Sequence, residues 1–87
     1  MQTISDSKIP KSAPILVDAK GLKCPMPVIK LQKQVRLSQL GDLILIECTD
    51  PGAAKDIRSW SKVNRHLIEA VTQTDFGCTI LLKVQKR

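Results

Sequence analysis

The sequence predicts a two-layer α/β sandwich of element order β-α-β-α-β-β, with a mixed four-stranded sheet and both helices on one face. Three observations carry this. Two apolar runs, Ile15 to Asp18 and Leu43 to Thr49, each lead into a proline-marked helix start. Two stretches, Pro25 to about Ser38 and Asp50 to Asn64, repeat apolar residues at helical spacing. The last third holds two strand-like runs, Leu67 to Thr74 and Thr79 to Gln85, around the turn Asp75-Phe76-Gly77.

At 87 residues the chain has room for one small core. We therefore expect a single domain over residues 15–87 after a flexible lead-in over residues 1–14, which mixes Ser, Lys, Gln and two prolines without periodicity. The core must come from Ile, Leu, Val and Ala, since Trp60 and Phe76 are the only aromatic residues. No apolar run reaches the roughly 20 residues of a membrane span, and the N-terminus lacks the order of a signal peptide, so a cytoplasmic protein that does not enter the membrane is expected. Three cysteines, no C-x-x-C spacing and one histidine supply no familiar metal set. Reduced thiols, no metal and no cofactor are expected. The net charge of +6 suits an acidic partner, but the basic residues are dispersed. Without an aromatic platform for bases, direct nucleic-acid binding is not expected.

Taken in order, Ile15 to Asp18 is the first strand, delivering the chain to Lys20 and Gly21. Val28, Leu31 and Val35 form the buried stripe of the first helix, with Lys30 and Lys33 on its solvated side. Leu37, off the stripe, is expected to pack beyond the helix end, where Leu40, Gly41 and Asp42 turn the chain. The unbroken run Leu43-Ile44-Leu45-Ile46 predicts a central strand buried on both faces, with Cys48 as a small core residue or, alternatively, a resolving thiol. Asp50 is expected to N-cap the second helix with Pro51 at its first position. Ala53, Ile57 and Trp60 share that helix's inner face, and Asn64 is expected to end it in the left-handed conformation. Ile80, Leu82 and Val84 should face the helices, leaving Leu81 on the open side; Cys78 reads as structural and His66 as a local hydrogen-bonding residue.

The stretch that concentrates chemistry is Gly21-Leu22-Lys23-Cys24-Pro25-Met26-Pro27, where a strand turns into a helix. Proline suits the first turn because its missing N–H would have no intrahelical partner there. Pro25 and Pro27 thus place Cys24 near the helix N-cap. There the positive end of the dipole, the Met26 N–H and the neighbouring Lys23 would favour a negatively charged sulfur. Gly21 supplies the positive φ that a sharp strand-to-helix bend needs. A reactive thiolate is expected, the competing use being a small buried hydrophobe.

The spacing Asp18-x-x-Gly21-x-x-Cys24-Pro25-x-Pro27, continued by Asp50-Pro51, Asp56-Ile57 and Trp60, resembles the signature of the TusA/SirA-like sulfur carriers from about Ile15 onward. The resemblance implies a cytoplasmic carrier in which Cys24 holds sulfane sulfur as a persulfide. It would receive it from a cysteine desulfurase or rhodanese-like donor and pass it to an acceptor protein, for tRNA thiolation or another branch of sulfur metabolism. It also implies a sandwich similar to the C-terminal domain of translation initiation factor three. Members of the tRNA-thiolation branch typically carry an acidic residue between the prolines; Met26 stands there instead. The competing function is a non-catalytic regulatory or RNA-binding module using the basic surface. A thiol oxidoreductase is a third, which would need a Cys24–Cys48 disulfide.

Overall fold

The computed structural model describes residues 14–85. The lead-in expected over residues 1–14 therefore lies outside the described residues apart from Pro14. The elements are β1 (Ile15–Ala19), α1 (Met26–Leu37), β2 (Leu43–Cys48), α2 (Ala53–Val63), β3 (Leu67–Gln73) and β4 (Cys78–Lys83). They form one four-stranded sheet of order β1-β2-β4-β3, parallel between β1 and β2 and antiparallel on both sides of β4. Both crossovers, β1 to β2 and β2 to β3, advance in the same direction across the sheet. The right-handed rule then puts α1 and α2 on the same face, and α1 packs on β1 and α2 while α2 packs on β3.

The core lies between these layers. Val17 and Ala19 of β1, Ile44, Ile46 and Cys48 of β2, and Ile80 and Leu82 of β4, with Val84 after it, are buried on the helix side. Pro27, Leu31 and Val35 of α1 meet them, with Val28 partly buried at the margin. Burying each of the larger aliphatic side chains contributes roughly 1.5–3 kcal/mol. Leu37, by contrast, is 81% exposed rather than packed beyond the helix end. The helix stops at Leu37, and Ser38 takes the buried place, its hydroxyl donating to the Gln34 carbonyl at 2.7 Å.

β2 is central as expected, but it is not buried on both faces. Its residues alternate, with Leu43, Leu45 and Glu47 only half-buried. The continuous apolar run arises because the open face carries its own apolar row, Leu16, Leu45, Leu81 and Ala70 in register across the four strands. Leu81, expected to be exposed there, is half-buried by these neighbours.

α2 also departs from expectation at both ends. The regular helix begins at Ala53 with Gly52 at its N-cap and no side-chain cap. Asp50 acts one turn earlier, its carboxylate accepting the Gly52 N–H at 3.2 Å and its carbonyl accepting the Ala53 N–H at 3.1 Å. At the other end Arg65, not Asn64, adopts positive φ (64°). The His66 N–H bonds to the Ser61 carbonyl at 2.8 Å and the Arg65 N–H to the Lys62 carbonyl at 3.3 Å, the two bonds of a Schellman ending. Asn64 contributes through its side chain, which donates to the Trp60 carbonyl at 2.9 Å. Ser61 rather than Trp60 fills the innermost position of the helix; Trp60 is half-buried and stacks on His66 with centroids 5.2 Å apart. His66 is a local hydrogen-bonding residue as expected, its Nδ1 accepting the Gln85 N–H at 3.2 Å. Burial lowers its pKa below the ordinary imidazole value.

Candidate functional site

Because β1 and β2 are parallel neighbours, the turns that follow them emerge side by side at one end of the sheet. Ala19 pairs with Cys48 at the last rung, and beyond it the two chains diverge into Lys20 to Pro25 and Thr49 to Gly52. The Gly21 N–H donates to Thr49 Oγ1 at 2.9 Å and fastens one turn to the other. Gly21 has φ 85°, the conformation expected of the bend, and an Asx bond from the Lys20 N–H to Asp18 Oδ1 (3.0 Å) precedes it. The β3–β4 hairpin turn lies at this end too. Phe76, partly exposed, sits under the Lys20 ammonium at 5.4 Å from the ring centroid. Lys20 also pairs with Glu47 at 2.8 Å and Asp18 at 3.2 Å, which raises its own pKa.

Cys24 stands exposed between these turns. Pro25 occupies the N-cap of α1, Met26 begins the helix and Pro27 is buried beneath the first turn, so both prolines do mark the start. The Cys24–Pro25 peptide bond is cis. The Met26 N–H, expected to serve the sulfur, instead donates to the Lys23 carbonyl at 2.8 Å. Lys23 is exposed, and its ammonium has no hydrogen bond or ion pair among the described residues. The partner of the sulfur comes from the other turn: Cys24 Sγ donates to Asp50 Oδ2 at 2.9 Å. Gly52 lies against both groups, so a Cβ built there would sit 3.4 Å from Asp50 Oδ2 and 3.4 Å from Cys24 Sγ.

This geometry corrects the expected thiolate. The hydrogen bond to Asp50, and next Asp56, push the Cys24 thiol up to about 12, so at neutral pH it is a protonated donor. Two carboxylates outweigh one helix terminus because the dipole of an exposed first turn is a fractional charge, whereas each carboxylate is a full one. Alkylation by iodoacetamide, which consumes thiolate, is accordingly expected to rise about tenfold per pH unit from pH 7 to beyond pH 9, without levelling near the ordinary cysteine value of 9.0. A plateau below pH 9 in a stopped-time alkylation series would contradict the geometry.

The other thiols are of a different kind. Cys48 and Cys78 are buried register partners across β2 and β4, and all three cysteines are free. Burial first, then Cys78, pushes the Cys48 thiol up to about 11. Cys48 is a core residue as expected, and no Cys24–Cys48 disulfide is present. No group of three or more metal-ligating side chains occurs among the described residues. Of the residues singled out from sequence, Gly21, Cys24, Pro25, Met26 and Asp50 meet at this end of the sheet, with Pro27 below and Lys23 alongside. Asp56, Thr49, Gly52 and Phe76 were missed as site residues. Asp56 had a signal, an acid one turn into a helix whose start lies beside the thiol.

Comparison with known proteins agrees with this architecture. Residues 15–86 match the family model described as Sulfurtransferase TusA. The chain belongs to the TusA/SirA-like family. It is 37% identical over 71 residues to the "Putative sulfur carrier protein YrkI" of Bacillus subtilis strain 168, covering 82% of this chain and 92% of that protein. A second protein of that organism, YrkF, given the same description, is 41% identical over 54 residues, which are 62% of this chain and 29% of YrkF. A "Putative sulfur carrier protein" of Aquifex aeolicus strain VF5 is 36% identical over 64 residues, 74% of this chain and 32% of that protein. The chain thus spans about a third of these two longer relatives. The crystal structure of a SirA-like protein from Desulfitobacterium hafniense shares the fold, with TM-score 0.69 and 22% identity over 84% of this chain and 99% of that one. In this TusA/SirA-like chain no helix among the described residues is long and apolar enough to cross a membrane.

Proposed function

We propose that the protein is a sulfurtransferase of the carrier type: Cys24 accepts sulfane sulfur as a persulfide and hands it to an acceptor protein in a cytoplasmic sulfur relay, for tRNA thiolation or another branch of sulfur metabolism. The observation that supports this most strongly is the contrast among the thiols. Cys24 projects from the junction of two βα turns, while Cys48 and Cys78 are sealed in the core. A sulfur that must meet first a donor and then an acceptor has to be reachable by both.

Loading joins the Cys24 sulfur to the outer sulfur of a donor persulfide, on a cysteine desulfurase or a rhodanese-like protein, and breaks the donor's S–S bond. The Cys24 sulfur is oxidised by the same step that reduces the donor's inner sulfur. Discharge repeats the exchange with an acceptor thiol. The surroundings suit protein partners: Met26 and Ile29 expose apolar surface on the first turns of α1, and Lys23, Lys55 and Arg58 are exposed cations. Such cations raise the encounter rate with an acidic partner surface more than they add to affinity.

Incubation with a cysteine desulfurase and cysteine is expected to add one sulfur, roughly 32 Da, to the intact mass, reversed by dithiothreitol. No gain from this donor, nor from thiosulfate with a rhodanese, would overturn the carrier function in favour of a binding module on the basic surface. Salt-dependent RNA binding insensitive to Cys24→Ser would be that module's signature.

A further inference from the structure

The loading step needs a destination for the proton of Cys24, because the site holds the sulfur as a thiol. We propose that Asp50 is that destination: it accepts the Cys24 proton as the new S–S bond forms and supplies a proton to Cys24 when the sulfur leaves. This rests on the persulfide role of Cys24. The contact is already made, since the S–H points at Asp50 Oδ2 across 2.9 Å. The carboxylate is held for the task by the Gly52 N–H at 3.2 Å on the same oxygen. Gly52, having no side chain, leaves both groups open to an approaching sulfur.

A carboxylate is too weak a base to deprotonate a resting thiol, and the resting site agrees. The circumstances change during attack. As the Cys24 sulfur shares its electron pair with the donor's outer sulfur, its remaining proton becomes strongly acidic, and a base within hydrogen-bond reach takes it without prior ionisation. The atoms balance. The Cys24 S–H bond and the donor S–S bond break, and the Cys24 S–S bond and the Asp50 O–H bond form. The donor's inner sulfur leaves as a thiolate and takes the proton from Asp50, which is again a carboxylate when loading is complete. In discharge the acceptor's S–H bond and the Cys24 S–S bond break as the acceptor bonds to the outer sulfur; Asp50 takes the acceptor's proton and delivers it to the leaving Cys24 sulfur, which returns to the thiol.

The other charged groups at this end have different work. Asp56 also acts on the sulfur, second to Asp50, whose carboxylate makes the 2.9 Å contact with Sγ; Lys23 is the sulfur's sequence neighbour, and Lys20 is engaged with Glu47 and Asp18. A carboxylate that only repels thiolate and a carboxylate that takes the proton predict opposite results. Alkylation reads thiolate alone, and loading reads thiolate or proton transfer.

The test uses single-turnover loading of the whole protein from a preloaded cysteine desulfurase, followed by quench and intact mass, beside iodoacetamide alkylation at the same pH. In wild type, loading is expected to change less than about threefold from pH 6 to 9 while alkylation rises about tenfold per unit. In Asp50→Asn, whose amide oxygen can still accept the Gly52 N–H, alkylation is expected to rise about threefold or more per unit of thiol pKa lost, and loading to fall about a hundredfold. Wild-type loading that climbs in step with alkylation overturns the inference without any variant, and so does an Asp50→Asn protein in which both rates rise. Wild type that takes up no sulfur at all would instead remove the persulfide function itself.

Discussion

Cys24→Ser is expected to carry no sulfane sulfur while unfolding within a few degrees of wild type. The chemical half follows from the transfer, which needs a sulfur able to form and release an S–S bond; a serine hydroxyl cannot replace it. Neither can the remaining thiols, because Cys48 and Cys78 are buried beneath the helices and opposite each other in the sheet. The structural half follows from exposure. Cys24 contributes little burial, and a serine hydroxyl can donate to Asp50 as the thiol does. Exposed substitutions of this sort stay within about 0.5 kcal/mol. Intact mass after loading and a thermal melt of the same sample check both halves. Loading at even a tenth of the wild-type level would place the sulfur elsewhere, and a large fall in melting temperature would make Cys24 structural.

Gly77→Ala is expected to produce the largest loss of stability, with consequences for the site. Gly77 closes the β3–β4 hairpin, its N–H bonding Thr74 Oγ1 at 3.1 Å and its carbonyl accepting the Thr74 N–H at 3.0 Å. A Cβ there would lie 2.8 Å from Thr49 Cα and nearer still to the Cys48 carbonyl oxygen, backbone atoms at and just past the end of the central strand β2, which are not the far end of a flexible side chain. With φ at 156° the glycine is also in a region that side chains avoid. Overpacking of this kind costs about 3 kcal/mol, which in a domain of this size lowers the melting temperature by roughly 10–20 °C. Thr49 fastens Gly21 and leads to Asp50, so folded Gly77→Ala protein should also alkylate faster at pH 8 as the Cys24–Asp50 contact loosens. Unchanged melting and alkylation would show that this approach is not a constraint.

The fold was legible because its signals are local and mutually consistent. Leu31 and Val35 set the face of α1, Ile80, Leu82 and Val84 set the face of β4, and Gly77 marked the hairpin. The misreadings share a cause: each depended on what tertiary neighbours do. Leu43 and Leu45 read as doubly buried because the apolar row on the open sheet face follows from strand order, which a single strand does not display. Asn64 was the better candidate for positive φ by residue type, yet the Schellman bonds fall so that Arg65 takes it.

The site divides the same way. Cys24 was visible from Gly21, Pro25 and Pro27, all within three residues. Its protonation was not, because the deciding groups lie far off in sequence; Asp50 is 26 residues away and reaches the sulfur only through the parallel pairing of β1 and β2. Helix-terminus reasoning from nearest neighbours gave the opposite sign. The usable clue was topological. Two proline-marked turns after neighbouring parallel strands must open at the same end, and Asp50 begins the second of them.

The central claim, that Cys24 is the sulfur-carrying residue, is tested most directly by locating the added sulfur. The three cysteines fall on three separate tryptic peptides, spanning residues 24–30, 37–55 and 66–83. After loading from a cysteine desulfurase, alkylation without reduction and tandem mass spectrometry should find the extra sulfur on the 24–30 peptide alone. Sulfur on the peptide of Cys48 or Cys78, in protein that remains folded, would contradict the account.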